Sequence, residues 1–586
     1  MISSVVAVMP GSCDTSTIQL DFVMPQRFDV RYVDVGGDKT HVVMLYRALF
    51  GSLERFLCVL LARHGASLPA WLAPEQSWSC PSVERMIRMH AQLPVSPRRQ
   101  ACDCGCARTP SYSQTVPHVD VLIIGAGLSG IGAAHHLQTL QPTKSYAILE
   151  ARPRLGGTWD LFKYPGIRSD SDMYTLGYSF KPWTNAKAIA DGPAILDYIQ
   201  ETADEAGIAP HIHYNECVTK AAWSSHDAQW TVVAASTWTC KFLYCCSGYY
   251  DYAGGYTPDF PGRDIFKGRV VHPQQWPEDL DYKGKRVVVI GSGATAVTLV
   301  PEMAKQAAHV TMLQRSPTYI MTRPSKDKIA DWLRAKLPAK AAYSITRWKN
   351  VLTNMGFYGY TRTFPEHAKQ LLVKSAAKMA GSAAVPHFTP AYYPWDQRLC
   401  LVPDSDLFKA LRAGTAEIIT DHIETFTERG LKLKSGAELE ADVVVTATGL
   451  KLQIFGGATI EVDGRVVPPS EMMIFKGLMC SGVPNFAFAV GYTNASWTLK
   501  VDLGSTFVCR LLEFMDKRNF KEVRPRRDPE VAEIPLLDFS SSYVTRSLPD
   551  LPRQGVKLPW RLYQNYALDR AVLGSGKIAD DALEFK

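Results

Sequence analysis

The feature that most constrains the fold of this 586-residue chain is a glycine-rich turn that follows a short apolar stretch. The segment VDVLIIGAGLSGIGAAHHL, residues 119–137, reads as a buried strand, a tight turn and a helix rich in Ala and Leu. A side chain at Gly125, Gly127 or Gly130 would block the turn, the approach of a pyrophosphate, or the packing of helix on strand. The helix N-terminus offers unpaired N–H groups to phosphates. The turn therefore predicts a dinucleotide-binding site.

The strand after this helix supplies a carboxylate for the same site. The segment SYAILE, residues 145–150, reads as the second strand of the unit and ends on Glu150. A carboxylate at the end of that strand can accept hydrogen bonds from the ribose hydroxyls of a nucleotide. We interpret this first unit as the FAD-binding unit.

A second strand, glycine turn and helix occur further along the chain, in RVVVIGSGATAVTLVPEM. The strand that follows, HVTMLQRS, ends in Arg315 and Ser316, where the first unit has an acid. An Arg at this place pairs with a 2′-phosphate, which an acid would repel, so this unit is expected to bind NADPH. The alternative is that Arg315 is an ordinary surface cation. The residues expected at this second nucleotide are Gly291, Gly293, Thr295, Ala296, Arg315 and Ser316.

The composition favours a cytoplasmic protein of several domains. The chain is 46% hydrophobic and long enough for about two to four domains. Its net charge is +7, and positive and negative residues are mixed along the chain, so the charge pattern does not indicate a nucleic-acid-binding surface. The 13 cysteines form no paired CxxC modules, so we expect no metal site and a reducing compartment. The longest apolar run, 56–62, is too short to span a bilayer, and the first residues lack a basic leader, so we expect neither a transmembrane segment nor a signal peptide.

Two longer patterns carry a resemblance to a known family. The segment FKGRVVHPQQWP, residues 266–277, contains two prolines and fits no helix or strand periodicity. It resembles the fingerprint FxGxxxHxxxW(P/D) of type I Baeyer–Villiger monooxygenases, which lies between the FAD and NADPH domains. The segment GGTWDLFKYPGIRSD, residues 156–170, is similar to the family's other fingerprint. The resemblance runs from about residue 120 onward, and VGYTNASWTLK is close to a mycobacterial branch. The positions that carry it are Phe266, Gly268, His272 and Trp276, and Gly157, Thr158, Trp159 and Asp170.

The resemblance implies an activity and a set of site residues. In this family NADPH reduces FAD, and O2 then gives a flavin C4a-peroxide that inserts one oxygen atom beside a ketone carbonyl to form an ester or lactone. The peroxide anion needs a fixed cation, and Arg398 is the counterpart of the family's active-site Arg. Asp170 corresponds to the carboxylate that orients this Arg, and Trp497 to a Trp near the nicotinamide cofactor. We interpret His272 and Trp276 as linker positions that place the two domains.

Several alternatives stay open from the sequence. Related enzymes oxidise sulfides and thioamides, so a flavin monooxygenase that acts mainly on nitrogen or sulfur is the first alternative. For Trp497, the alternative to a position near the nicotinamide cofactor is a packing position in the hydrophobic core. Some family members have a Lys where this chain has Gln397, which leaves open whether part of the contact to the NADPH 2′-phosphate is absent or supplied elsewhere. Gln is the residue expected in the mycobacterial branch, so we do not interpret it as lost function. The expected partners are a ketone or sulfide and O2, without nucleic acid, and the sequence fixes neither the substrate nor the oligomeric state.

The first part of the chain resembles a different family. Residues 17–74 are similar to part of a threonyl-tRNA synthetase, and LFGSLERFL is similar to the third motif of class II synthetases, whose ATP-contacting Arg corresponds to Arg55. The first and second motifs are absent, and Tyr46 stands where that family has a zinc-binding His. We therefore expect a non-functional fragment at 1–75 and a linker at 76–117. The alternative to a monooxygenase from another functional class is a tRNA-linked protein that acts through this fragment.

Together these patterns predict an α/β fold with two Rossmann-type dinucleotide-binding domains, a helical insertion and a short N-terminal α/β fragment. The FAD-binding domain is expected in two parts, at 118–270 and 441–586, and the NADPH-binding domain at 271–440. The segment at about 325–395, with long helical patterns, predicts the helical insertion.

Overall fold

The computed structural model describes residues 116–397, 399–537 and 539–586, together with the backbone of four short strands nearer the N-terminus. Contacts divide the chain into two units, Met1–Ser111 and Tyr112–Lys586. The strands of the first unit are β1 (Thr17–Asp21), β2 (Arg31–Val33), β3 (Lys39–His41) and β4 (Met44–Ala48). β1 pairs with β4 and β2 with β3, both antiparallel. Arg55 and almost all of the expected linker lie outside the described residues.

The second unit contains strands and helices in alternation over much of its length, which confirms the predicted α/β class. Its strands are β5 (His118–Ile124), β6 (Tyr146–Glu150), β7 (Ile212–Tyr214), β8 (Lys220–Ser224), β9 (Gln229–Val233), β10 (Thr237–Cys245), β11 (Arg269–Val271), β12 (Arg286–Ile290), β13 (His309–Gln314), β14 (Ile320–Arg323), β15 (Cys400–Pro403), β16 (Ala416–Thr420), β17 (Ile423–Thr427), β18 (Gly430–Leu433), β19 (Glu438–Glu440), β20 (Val443–Thr446), β21 (Thr459–Val462), β22 (Arg465–Val466), β23 (Ile474–Phe475), β24 (Met479–Cys480), β25 (Phe486–Phe488), β26 (Val523–Pro525), β27 (Glu533–Pro535), β28 (Arg553–Gly555) and β29 (Leu583–Phe585). Its α-helices are α1 (Leu128–Leu140), α2 (Thr158–Leu161), α3 (Met173–Leu176), α4 (Gly192–Glu205), α5 (Ala294–Met303), α6 (Lys328–Lys336), α7 (Ala339–Thr363), α8 (Pro365–Ala380), α9 (Asp406–Arg412), α10 (Trp497–Arg518), α11 (Ser542–Ser547) and α12 (Tyr566–Asp569).

The first large sheet has nine strands and carries the first glycine turn. Its strands β7, β6, β5 and β10 are neighbours in that order and pair in parallel, as in a Rossmann unit. All five residues of β6 are buried, as expected for a parallel strand that is covered on both faces. The nine-residue β10 also pairs antiparallel with β9 and, through its last three residues, parallel with β25. This long strand therefore joins the nucleotide-binding part of the sheet to its antiparallel extension.

The second large sheet has five parallel strands in the order β11–β20–β12–β13–β16 and carries the second glycine turn. The central strand β12 has the bounds that the sequence predicts, Arg286–Ile290. Its residues Val287, Val288 and Val289 are at most 1% exposed, so the strand is covered on both faces. The second sheet confirms that the chain has two Rossmann-type units.

Three helices, α6, α7 and α8, occupy the chain between β14 and β15, where the sequence predicts a helical insertion. The insertion is bonded to the first nucleotide-binding part through α7. Arg347 is only 8% exposed and donates to the carbonyl oxygens of Tyr174 and Gly177 at 2.9 and 2.8 Å. Its second terminal nitrogen lies 3.4 Å from Oδ2 of Asp502 on α10. The carboxylate and the carbonyl oxygens compensate a guanidinium charge that would be costly to bury alone.

The helices of the insertion combine apolar exposed positions with polar ones. Trp332 on α6 is 61% exposed, and Leu352 on the 25-residue α7 is also 61% exposed. Throughout the part of the chain that the structure describes, no helix has both the length and the apolar character that crossing a membrane requires.

A chain that begins at Tyr112 is expected to fold and to melt at the temperature of the full-length protein. The reason is that contacts divide the chain between Ser111 and Tyr112, so that this chain keeps the whole second unit, including Pro117, whose carbonyl oxygen accepts from Thr239 N on β10 at 2.9 Å. Thermal unfolding of both chains by circular dichroism checks the prediction. A matched chain that begins at Leu128 removes β5 from between β6 and β10 and should not fold. A melting temperature more than about 4 °C lower for the first chain would contradict the independence of the second unit.

Candidate nucleotide-binding and active site

A cavity of about 610 Å³ lies where the two nucleotide-binding parts meet. Its volume is in the range of sites for small molecules and cofactors. The wall includes the first glycine turn, the second fingerprint and the start of α5, which follows the second glycine turn. Among the residues predicted from the sequence, the wall contains Gly125, Gly127, Glu150, Gly157, Thr158, Trp159, Asp170, Thr295 and Trp497. The other predicted residues that the structure describes lie outside the wall, namely Gly130, Gly291, Gly293, Ala296, Arg315, Ser316, Phe266, Gly268, His272 and Trp276.

The first glycine turn is shaped by close backbone approaches. Gly125 has φ of +98°, and a Cβ atom there would lie 2.8 Å from the carbonyl oxygen of Cys246, just after β10. A Cβ atom on Gly130 would collide with the carbonyl oxygen of Gly125. Helix α1 then begins with Gly127 as its N-cap and with no side-chain cap. The uncapped N–H groups at this end are available to phosphate oxygens.

Glu150 lies at the end of β6, on the cavity wall, and is 5% exposed. Its Oε2 accepts a hydrogen bond from Ala126 N at 2.7 Å, and its Oε1 accepts one from Arg152 N at 3.0 Å. Burial raises the pKa of Glu150, and the two hydrogen bonds and the charge of Arg152 oppose this rise. Since a carboxylate offers about four lone-pair positions, two of them remain for ribose hydroxyls.

The second fingerprint packs its backbone against the first glycine turn. A Cβ atom on Gly127 would lie 3.6 Å from the Cα atom of Gly157, so the two turns leave backbone rather than side chains at the cavity wall. The hydroxyl of Tyr252 lies near the side chain of Thr158, and that of Tyr164 lies near Thr295 at the start of α5. Burial raises the pKa of both tyrosines, so both hydroxyls stay protonated at neutral pH. Tyr164 is also buried in the core cluster of the second nucleotide-binding part, which joins the fingerprint to that part.

The second glycine turn has the same outline as the first. Gly291 has φ of +139°, and a Cβ atom there would collide with the carbonyl oxygen of Ala447, just after β20. A Cβ atom on Gly293 would meet no atom within 4 Å, so this side of the turn is open. Ala296 on α5 is fully buried, and α5 has no side-chain cap. The turn therefore also presents free helix N–H groups to a ligand.

Arg315 and Ser316 directly follow β13 and are exposed. The hydroxyl of Ser292 donates to the carbonyl oxygen of Ser316 at 3.1 Å, which ties the second glycine turn to the end of β13. Among the residues that the structure describes, no carboxylate forms an ion pair with Arg315. An unpaired cation at the carboxyl end of a parallel sheet suits a phosphate, and the role of Arg315 stays a prediction.

Two chain segments cross between the nucleotide-binding parts, and they run beside each other in antiparallel directions. The first segment, 249–256, follows β10, and the second, 449–453, follows β20. Tyr250 and Leu452 form an antiparallel bridge. Further backbone bonds join Asp251 N to Lys451 O and Tyr256 N to Gly449 O, each at 3.0 Å. We call this arrangement the crossing pair.

The first fingerprint holds the crossing pair through His272. Nδ1 of His272 accepts from Gln274 N at 3.1 Å, and Nε2 lies 3.2 Å from the carbonyl oxygen of Gly449, to which it donates in the neutral tautomer. Burial lowers the pKa of His272, and the bond to Gly449 opposes this shift. With both ring nitrogens occupied in the neutral form, His272 fits a positioning role.

The other positions of the first fingerprint are packing positions. Phe266 is 9% exposed and forms an edge contact with Phe426 at 5.8 Å between ring centroids. A Cβ atom on Gly268 would collide with the carbonyl oxygen of Asp442, and Trp276 is partly buried against the core of the second part. None of these three residues lines the cavity. Their predicted role in placing the domains stays a prediction.

Asp170 lies on the cavity wall, near Tyr164, and its charge adds to burial in raising the pKa of that tyrosine. Arg398, the predicted cation, lies outside the described residues, so its pairing with Asp170 stays a prediction. The turn before it is strained, because Trp395 has φ of +71°. The carbonyl oxygen of Asp396 accepts from Ser540 N at 2.9 Å and from its hydroxyl at 3.0 Å. Ser540 therefore holds this turn through two hydrogen bonds.

Trp497 begins α10 and joins the first glycine-turn helix to the crossing pair. Its ring stacks on that of Tyr249, with centroids 5.0 Å apart and planes inclined by 15°. Its Nε1–H donates to the hydroxyl of Ser129 on α1 at 2.8 Å. Trp497 is thus partly buried and also part of the cavity wall. A contact with a nicotinamide cofactor stays a prediction.

Several wall residues were not found from the sequence. Ser129, Tyr249 and Tyr252 line the cavity, and so does Tyr492, whose hydroxyl donates to Asp569 at 2.7 Å. The run YYDY at 249–252 carried a usable signal, because hydroxyl-bearing aromatics directly after a parallel strand lie at the edge where nucleotides bind. Tyr492 gave no comparable signal.

Comparisons with known proteins agree with this geometry. The family described as flavin-binding monooxygenase-like matches residues 184–333, and an NAD(P)-binding Rossmann-like domain matches residues 123–191. A steroid monooxygenase solved with NADP has a TM-score of 0.63 and 22% identity, over 80% of this chain and 99% of that chain. A cyclohexanone monooxygenase solved with ε-caprolactone has a TM-score of 0.61 and 20% identity, over 80% of this chain and all of that chain. These two likenesses show the fold.

The fold and the cavity define a class of proteins in which two dinucleotide-binding units meet at one site. The FAD-containing monooxygenase EthA of Mycobacterium tuberculosis H37Rv is 54% identical to this chain over 479 residues, which cover 80% of this chain and 98% of that protein. The chain belongs to the family of FAD-containing monooxygenases.

The replacements Trp497→Phe and Ser129→Ala are each expected to lower stability by about 1 kcal/mol, because each removes the same hydrogen bond while Phe keeps the stacking on Tyr249. The double variant should lose about as much as either single variant, since the bond can be lost only once. Urea unfolding of the four proteins measures this cycle. Trp332→Phe, at an exposed position, is the control and should change nothing. Fully additive losses in the double variant would show that the two side chains act independently.

Proposed function

We propose that this chain is an FAD- and NADPH-dependent Baeyer–Villiger monooxygenase that converts a ketone into an ester or lactone. The observation that carries the proposal is the shared cavity, whose wall holds the first glycine turn, the second fingerprint with Asp170, and the start of α5. Two nucleotides that exchange a hydride have to meet at such a place. The name of the 54% identical relative supports FAD, and the neighbours solved with NADP and with a lactone support the reductant and the product class.

The first glycine turn fits FAD on three observations. Its wall is bare backbone at Gly125, Gly127 and Gly157, so a pyrophosphate can approach closely. The start of α1 has no side-chain cap, and Glu150 keeps two lone-pair positions for a ribose. FAD, when bound, accepts a hydride from NADPH and activates O2 for the transfer of one oxygen atom.

The second glycine turn fits NADPH. Its open side at Gly293 and the uncapped start of α5 suit a pyrophosphate, and Thr295 puts that end of the helix on the cavity wall. Arg315 is exposed and has no ion pair among the described residues, which suits a phosphate on the adenosine ribose. We infer that the second unit binds the reductant and that the domain boundaries predicted from the sequence hold.

The overall reaction balances with these partners. A ketone, O2, NADPH and one proton give an ester or lactone, NADP⁺ and water. One oxygen atom enters between the carbonyl carbon and its neighbour, and the other leaves as water with the two electrons of the hydride. The chain must supply a fixed cation where negative charge develops, and it must keep bulk water away from the reacting atoms.

Arg398 and Asp170 are assigned these electrostatic roles. A guanidinium keeps its proton at every physiological pH, and a carboxylate can hold it in one orientation through paired hydrogen bonds. The strained turn at Trp395 and its bonds to Ser540 fix the chain next to Arg398. Trp159, Tyr249 and Trp497 contribute apolar surface to the same cavity and help to exclude water.

The deciding experiment is an oxidation panel with isotope-labelled O2. The purified protein is expected to be yellow and to consume NADPH faster in the presence of a cyclic ketone, with an ester or lactone that carries one labelled oxygen atom. An aryl methyl sulfide and a tertiary amine are tested in parallel, and an oxygen-free reaction is the control. Labelled sulfoxide or N-oxide together with unchanged ketones would favour the alternative that acts on sulfur or nitrogen. Absence of NADPH consumption with all substrates would reject both.

Arg398→Ala is expected to allow reduction of FAD by NADPH at a near-normal rate and to lower ester formation by about 10²–10³-fold. The reason is that the cation is needed only when negative charge develops during oxygen transfer. Rapid-mixing absorbance measurements separate the two halves of the reaction.

Arg398→Lys, which keeps a charge, should be less impaired than Arg398→Ala, and Asp170→Ala should show a milder form of the same defect. Normal ester formation by Arg398→Ala would remove Arg398 from the mechanism. Slow FAD reduction with normal oxygen transfer would assign it to the reductive half instead.

A further inference from the structure

A second arginine lies beside the second glycine turn, and the mechanism above does not use it. Arg546 is in the six-residue helix α11 and is exposed. Its guanidinium carbon lies 3.5 Å above the centre of the Tyr256 ring. A Cβ atom on Gly449 would lie 3.9 Å from a terminal nitrogen of Arg546, which places the guanidinium next to the backbone that leaves β20.

Tyr256 is a fixed platform for this guanidinium. Its backbone N–H donates to the carbonyl oxygen of Gly449 at 3.0 Å, and its own carbonyl oxygen accepts from the hydroxyl of Thr448 at 2.6 Å. Both partners follow β20, and the backbone just before them, at Ala447, is in close approach to Gly291. Arg546 is therefore held on the β20 side of the second glycine turn.

Arg315 approaches the same place from the other side of that turn. It follows β13, and the sheet order places β12 and its glycine turn between β13 and β20. The two guanidiniums therefore flank the second glycine turn, and the positive charge of Arg315 adds to burial in lowering the pKa of Arg546, which the Tyr256 hydroxyl opposes. Within the described ranges, no carboxylate forms an ion pair with either of them. Two neighbouring cations without a counter-charge are an arrangement that binds a dianion.

We propose that Arg546, together with Arg315, binds the 2′-phosphate of NADPH and so determines the choice of reductant. The proposal rests on the proposed use of NADPH by the second unit. The stacked face of Arg546 is covered by Tyr256, and its N–H edges remain for phosphate oxygens. NADH carries a hydroxyl in place of this phosphate, so the pair of arginines discriminates between the two reductants.

The test is the ratio of kcat/KM for NADPH to kcat/KM for NADH in Arg546→Ala, Arg546→Lys and the unchanged chain. For Arg546→Ala we expect the KM for NADPH to rise about tenfold or more, with little change for NADH, because one charged hydrogen-bonding partner is lost. Arg546→Lys keeps the charge without the planar stacking and should lie in between. Arg526→Ala, at an exposed position with no ion pair among the described residues, is the matched control and should behave like the unchanged chain.

Binding of 2′,5′-ADP and 5′-AMP gives a readout that does not depend on turnover. Arg546→Ala should weaken 2′,5′-ADP and leave 5′-AMP nearly unaffected, and Arg315→Ala with Arg546→Ala should make the two ligands bind alike. An unchanged chain that shows no preference for NADPH would reject the proposed function itself. A preference that is present and unaltered in Arg546→Ala would overturn the present proposal alone. Equal weakening of both ligands would also overturn it, because Arg546 would then hold the adenosine rather than the phosphate.

Discussion

The arrangement on which the site depends is the crossing pair, the two antiparallel segments 249–256 and 449–453. β10 and β20 each end at the carboxyl edge of their own sheet, and the chain continues from both ends into this pair. Backbone hydrogen bonds between the segments make the two edges face each other, and the cavity lies between them. His272 adds a side-chain bond to the same backbone at Gly449. This bond is what the predicted domain-placing role of the first fingerprint would require, and that role stays a prediction.

The charges at the site come from a small number of groups. Tyr164 and Tyr252 keep their protons because burial raises the pKa of each, and burial lowers the pKa of His272. The neutral hydroxyls can orient a ligand, and the neutral imidazole can hold the crossing pair, without adding a charge that changes near neutral pH. Glu150 and Asp170 are acids on the cavity wall, and Arg315 lies at the end of β13 beside the second glycine turn.

The parts of the molecule that follow from short stretches of sequence were predictable. The bounds of β12, the position of Glu150 at the end of β6 and the two glycine turns each depend on fewer than about twenty consecutive residues, as strand–turn–helix patterns do. The two Rossmann-type units were predicted in this way and are confirmed. The stacking of Arg546 on Tyr256 joins residues that are far apart in the chain, and no local pattern marks it. The catalytic and binding roles predicted for single residues still await the experiments given above.

The buried anchor of α7 bears on how the two nucleotide-binding parts can move. This helix leaves the chain of the second part, yet three of its side chains are bonded to the first. Arg347 binds backbone carbonyls there, the hydroxyl of Tyr343 donates to Tyr178 O at 2.8 Å, and Asn350 donates to Asp172 at 2.9 Å. α7 is therefore attached by its side chains to the first nucleotide-binding part, although its chain connections lead to the second. A rotation of the second sheet about the crossing pair would leave α7 with the first part, and the change in backbone direction would have to occur at the two ends of the insertion, next to β14 and β15.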